Sequence, residues 1–176
     1  MRRIDVRRVR VVTVWTLLGL LTGACRGGPL EPGDALGTVR LTATGAVSVS
    51  GPGFATVHLL PLGGTTRMQI VLSPAPATSG ITSWQVTVDN DSGRLPVGTY
   101  PLLRPSASNP TATVYYTTGG PLTIYHATAG ELVITALSPW AVRGSGHFTA
   151  TEAGGAGTVS VEAVFNASCT PGMACQ

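Results

Sequence analysis

The chain has 176 residues, with 11 arginines and no lysine against eight acids, a formal charge of +3. Five of those arginines and one acid fall in residues 1–24, so the rest carries six arginines against seven acids, a charge of −1. The basic balance thus belongs to one terminal segment, which excludes a basic nucleic-acid-binding surface on the remainder, and the length suits a single domain.

The N-terminus has three zones. Met1 to Arg10 is arginine-rich, Val11 to Leu21 is apolar and uncharged, and Thr22-Gly23-Ala24-Cys25 is small. Charged, apolar, small is the order of a secretory signal. The apolar run is about half of the ~20 residues that a membrane-spanning helix needs. The paired arginines sit in a poor twin-arginine context, so the general secretory route is expected. Residues 26–36, RGGPLEPGDAL, read as a short tether.

From Val39 to Val49 every second residue is apolar or glycine: Val39, Leu41, Ala43, Gly45, Val47 and Val49. That is the period-two signature of a half-buried strand, with Gly45 marking a bend. Gly51-Pro52-Gly53 reads as a turn, and Phe54 to Leu60 as the next strand. Further strands are predicted over Arg67–Leu72, Ser83–Val88, Thr111–Tyr116, Leu122–His126, Glu131–Leu137, Val142–Thr151 and Thr158–Phe165, with turns at Gly63-Gly64, Gly119-Gly120-Pro121 and Gly154 to Gly157. No stretch after Cys25 has an apolar stripe at helical spacing. The expected fold is all-β, an antiparallel β-sandwich or partly closed barrel of about nine strands after an N-terminal lipoprotein signal peptide. A membrane-spanning barrel would need a continuous apolar outer band with aromatic girdles, and the aromatic residues are too few for that. The expected organisation is a signal peptide over 1–24, a lipidated tether over 25–36, a β domain over 37–168 and a C-terminal tail over 169–176 closed by a disulfide.

Two resemblances bear on function. Leu21-Thr22-Gly23-Ala24-Cys25 resembles the lipobox of bacterial lipoproteins, with a small residue before the cut and Thr22 where leucine is usual. That implies diacylglyceryl on the Cys25 thiol, and several acyl chains hold firmly at about 0.8 kcal/mol per buried CH₂. Leu95 to Leu102, Gly130 to Leu137, Val142 to Thr151 and Val159 to Asn166 are similar to segments of a family of small uncharacterised bacterial lipoproteins. The pattern departs at Gly146-His147, where the family has a larger residue. The resemblance implies a lipid-anchored β-sandwich or lipocalin-like fold and carries over no functional residue.

With Cys25 acylated, Cys169 and Cys175 remain, on either side of Thr-Pro-Gly-Met-Ala. Pro171-Gly172 suits the centre of a type II turn, and outside the cytoplasm such a pair oxidises to a disulfide. A redox pair would ordinarily have C-x-x-C spacing, and a metal site would need more ligands. Asp89-Asn90-Asp91-Ser92-Gly93 has some of the oxygens of a calcium loop but lacks its final acid, and reads as a turn. His58, His126 and His147 each stand alone in a predicted strand, and Glu131, Glu152 and Glu162 are spread over different strands and turns. Gly144-Ser145-Gly146 lacks the spacing of a nucleophile elbow. Trp84, Tyr115, Tyr116, Tyr125 and Trp140 could form a binding face, or be core. No catalytic, metal or cofactor site is expected.

The functional expectation is a non-enzymatic, lipid-anchored envelope protein that binds or scaffolds an envelope protein or glycan. The alternative is a lipocalin-like carrier of a small apolar ligand. Arg26 after the lipidated cysteine, in place of the aspartate that retains some lipoproteins at the inner membrane, points to the outer membrane.

Overall fold

A computed structural model of the chain describes residues 37–63, 65–74, 83–102, 110–117, 121–170 and 174–175. The leader, Cys25 and the tether lie outside the described residues, as do Pro171-Gly172 and Gly119-Gly120. Nine strands follow one another: β1 (Gly37–Gly45), β2 (Val49–Leu62), β3 (Thr65–Pro74), β4 (Ser83–Asn90), β5 (Gly98–Pro101), β6 (Thr111–Thr117), β7 (Thr123–Leu137), β8 (Ala141–Glu152) and β9 (Thr158–Cys169). Eight of them close into an up-and-down barrel in the order β1-β2-β3-β4-β6-β7-β8-β9, and β9 pairs back onto β1. β5 stands outside this ring.

The long strand β7 makes that arrangement possible. One of its edges pairs with β6 through Thr123–His126 and then with β5 through Glu131–Ile134, while the other edge pairs with β8 along its length. The sequence pattern suggested two separate strands here, split near Ala127–Gly130. The structure has one strand, bulged between Ala127 and Ala129 and again between Ile134 and Ala136. Gly130 carries the bend with φ of 132°. Bulges of this kind let a strand change partners and coil around a barrel. The count of nine holds because β5, not anticipated as a strand, replaces the one lost by this merger.

Two other expectations are corrected. The alternation from Val39 to Val49 spans a turn, since β1 ends at Gly45 and β2 begins at Val49. Val47 still points into the core from the turn, which is why the period was unbroken. Gly51-Pro52-Gly53 is not a turn but part of β2, with Pro52 opposite Arg40. The β2–β3 ladder ends at Gly53, so Pro52 lies where β2 has lost its β3 neighbour and the missing N–H is tolerated.

The interior is one apolar cluster drawn from every barrel strand. Val39, Leu41 and Ala43 of β1 face Val159, Val161, Ala163 and Phe165 of β9 across the closing seam. An eight-stranded barrel is wide enough for side chains to fill or for one small ligand, and here apolar side chains line it. Leu41, Ile70, Val86, Leu102, Val114 and Val142 have no accessible surface at all. Thr38, Arg40, Thr42 and Thr44 of β1 and Ser160 and Glu162 of β9 point outward, beside an exposed Val164 on β9.

Two glycines on neighbouring strands should respond oppositely to alanine. A Cβ at Gly130 would collide with Phe148 and the His147 carbonyl, on a backbone already at positive φ. Gly130→Ala should therefore cost more than about 1–3 kcal/mol, the usual cost of such backbone strain. Buried Gly146 has open space where a Cβ would go, so Gly146→Ala should stabilise by about 0.4–1 kcal/mol. Thermal melts of the two variants against the parent check both signs.

Candidate functional site

Three places bring chemically active side chains together. The first is on the outer wall. Around Glu131 on β7, His147 on β8 and Glu162 on β9 exposed residues alternate with buried ones, so all three point outward, and the register sets them in one row. His147 is the direct cross-strand neighbour of both glutamates, and all three are exposed. The row continues through Thr42 of β1 to Ser50 of β2, whose hydroxyls lie 3.4 Å apart. Directly opposed side chains in a sheet stand close enough to interact. The result is a band of acceptors, donors and charge across five strands. Ser145 and Thr149 flank His147 on the same outward face. A histidine, an acid and a hydroxyl thus meet here on the outer wall of the barrel. Among the described residues, no three His, Cys, Asp or Glu side chains are placed to hold a metal ion.

The second place is the end of the barrel where β1 starts and β9 finishes. Past the start of β1, the last residues of β9 pair with β2 instead, Thr56 opposite Ser168 and Val57 opposite Cys169. Thr170 continues the contact. Its amide and hydroxyl both donate to the Val57 carbonyl at 3.1 Å, and its oxygen lies 3.0 Å from His58 Nδ1. Since the hydroxyl hydrogen goes to Val57, Thr170 can accept from the imidazole at Nδ1, and Nε2 lies 3.1 Å from the Thr56 hydroxyl. Cys169 and Cys175 come together as a disulfide, with Cα atoms 5.9 Å apart. Cys175 is 1 % exposed and belongs to the apolar cluster. Its amide donates to Pro139 O at 2.9 Å, and Ala174 O accepts from Arg94 at 2.9 Å. The tail is therefore a plug, tied to β2, to the β7–β8 turn and to the loop before β5.

The third place is the opposite end. Tyr125 is buried beside Tyr116 and Glu152. Burial pushes its phenol pKa up, and the negative charge of Glu152 adds to that. Glu152 also accepts from the amide of Gly157 at 3.2 Å, which shapes the β8–β9 turn.

The other sequence candidates resolve into structure. Asp89 accepts from Gln69 at 2.9 Å, Asn90 donates to Gly93 O at 2.7 Å, and Asp91 pairs with Arg67 at 2.6 Å, so these polar groups serve the turn after β4. His58, His126 and His147 are dispersed: His58 at the plug, His126 beside Thr113 at 3.4 Å, His147 on the wall. Among the described residues the aromatic side chains do not share one face. Tyr125 and Tyr116 turn to the core, Trp140 lies at the plugged end, and the Trp84 side chain is outside the described residues.

This chain matches no protein-family model, no curated protein and no solved structure. The site must be read from its own residues.

Two measurements check these assignments. Replacing Cys169 and Cys175 by serine should cost about 2–2.5 kcal/mol, the chain-entropy value for so short a loop, plus the burial lost with Cys175, and denaturant melts would read it. In a spectrophotometric titration Tyr125 should ionise above the ordinary value of 10.0, and Glu152→Gln should bring it closer. The folded barrel binds that proton more tightly than the unfolded chain does. Its contribution is complete below pH 10.0 and is lost as the pH rises through the raised value.

Proposed function

We propose that the chain is a lipid-anchored protein of the bacterial envelope whose barrel acts as a non-enzymatic binding or scaffolding module. The leader, the lipobox-like segment ending at Cys25 and the resemblance to small lipoproteins support the anchor. Arg26 favours the outer membrane. The observation that carries the binding reading is the closely packed core. A wide chamber would leave its lining side chains with free surface, and Leu41, Ile70, Val86 and Val114 have none, although the space beside Gly146 is unfilled. Recognition then falls to the wall, where Glu131, His147, Glu162, Thr42 and Ser50 offer hydrogen-bonding groups to a polar partner, an envelope protein or a glycan.

The deciding experiment is the intact mass of the protein extracted from membranes with detergent. Residues 25–176 plus a diacylglyceryl group, less two hydrogens for the disulfide, is the expected species. An unmodified chain in the soluble fraction would overturn the anchor. For the interior, a fluorescent fatty acid should show no stoichiometric binding; one equivalent bound per barrel would establish the carrier role instead.

A further inference from the structure

The plugged end of the barrel is also the end from which the tether leaves. Gly37 begins β1 wedged against Asn166 and Ser168 of β9 and Ala55 of β2, where a side chain would collide with backbone. The chain before it therefore departs at the rim where β9 crosses from β1 to β2. The β7–β8 turn sits at that same rim, because the Cys169 amide donates to Trp140 O at 2.8 Å. This turn is held firmly. Ser138 Oγ accepts from the amides of Trp140 and Ala141 at 3.2 and 3.0 Å, and Pro139 O accepts from Cys175. Yet the Trp140 side chain is 52 % exposed, on a turn stapled by the disulfide-closed tail. Leu60, near the end of β2, is a second exposed apolar side chain at this end, at 40 %.

We propose that Trp140 is a membrane-docking residue, which seats the plugged end of the barrel in the headgroup region of the bilayer that holds the lipid on Cys25. The proposal rests on the lipid-anchored reading. The stretch from Cys25 to Gly37 is short; fully extended it reaches about 40 Å at ~3.3–3.6 Å per residue. The anchor thus holds this rim within about 40 Å of the lipid, and a tethered contact needs little affinity of its own. Indole suits the interface, with an apolar ring and one N–H that stays wet. Because the turn is fixed before contact, little ordering is lost on docking. The opposite end and the polar wall are then directed away from the membrane, towards whatever the row at His147 meets.

The test uses the mature protein extracted from membranes and reconstituted into phosphatidylethanolamine–phosphatidylglycerol vesicles, with and without brominated acyl chains. Wild type and Trp140→Phe are compared. Both should float with the vesicles. Bromolipid should quench the wild-type tryptophan emission, and that quenching should be lost in Trp140→Phe, whose remaining indole in the mature chain is Trp84. Flotation without quenching, or equal quenching in both proteins, overturns docking while leaving the anchor intact, and means that Trp140 faces water or a protein. Failure to float overturns the anchor and the docking together.

Discussion

The pairing of the first strand with the last holds the rest in place. Eight residues of β1 lie in register with β9, Thr38 opposite Asn166 through Gly45 opposite Val159. Without that seam the sheet would be an open curl with two long unpaired edges and a half-exposed core, the kind of edge that recruits other chains. Closure removes both edges at once and seals Val39, Leu41 and Ala43 against Val161, Ala163 and Phe165. The contact spans nearly the whole domain, so it is formed at a high loop-closure cost and folding should be correspondingly slow.

The seam also dictates the two ends. β9 outlasts β1 and slides onto β2, and beyond it Thr170 is tied to Val57, Ala174 to Arg94 and Cys175 to Cys169. That end is closed by covalent and hydrogen-bonded ties, and it presents Trp140 from a turn that cannot swing away. At the other end the turns between strands are stiffened more locally, by Glu152 and the Gly157 amide. The two ends are therefore chemically unlike, and under the proposed anchor this would give the barrel a preferred direction.

The wall gains its character from the same register. A shift of one residue between β8 and β9 would turn every side chain of one strand to the opposite face. In the observed pairing His147 falls between two glutamates and the hydroxyls of Thr42 and Ser50 extend the line. Under the proposed function this band and the closely packed core belong together: with most of the lining side chains buried against one another, the outer surface is the place of recognition.

The sequence by itself determined the all-β class and the inward or outward sense of many strand side chains, and it carries the lipobox-like pattern at Cys25 on which the proposed anchor rests. Those are local properties: a strand's two-residue alternation is written along the chain, as at Val159, Val161, Ala163 and Phe165, all of which are buried. It misread places where a local cue had a distant cause. Pro52 signals a turn in sequence, but β3 stops beside it and the strand runs on. The interval at Ala127–Gly130 looks like a break, but β7 needs it to change partners. Glu131, His147 and Glu162 were each legible as outward residues, and nothing in their spacing told that they are neighbours. Only the tertiary structure decided closure, register and the plug, because strand pairing is a contact between residues far apart in the chain, and its choice depends on burying the whole interior at once.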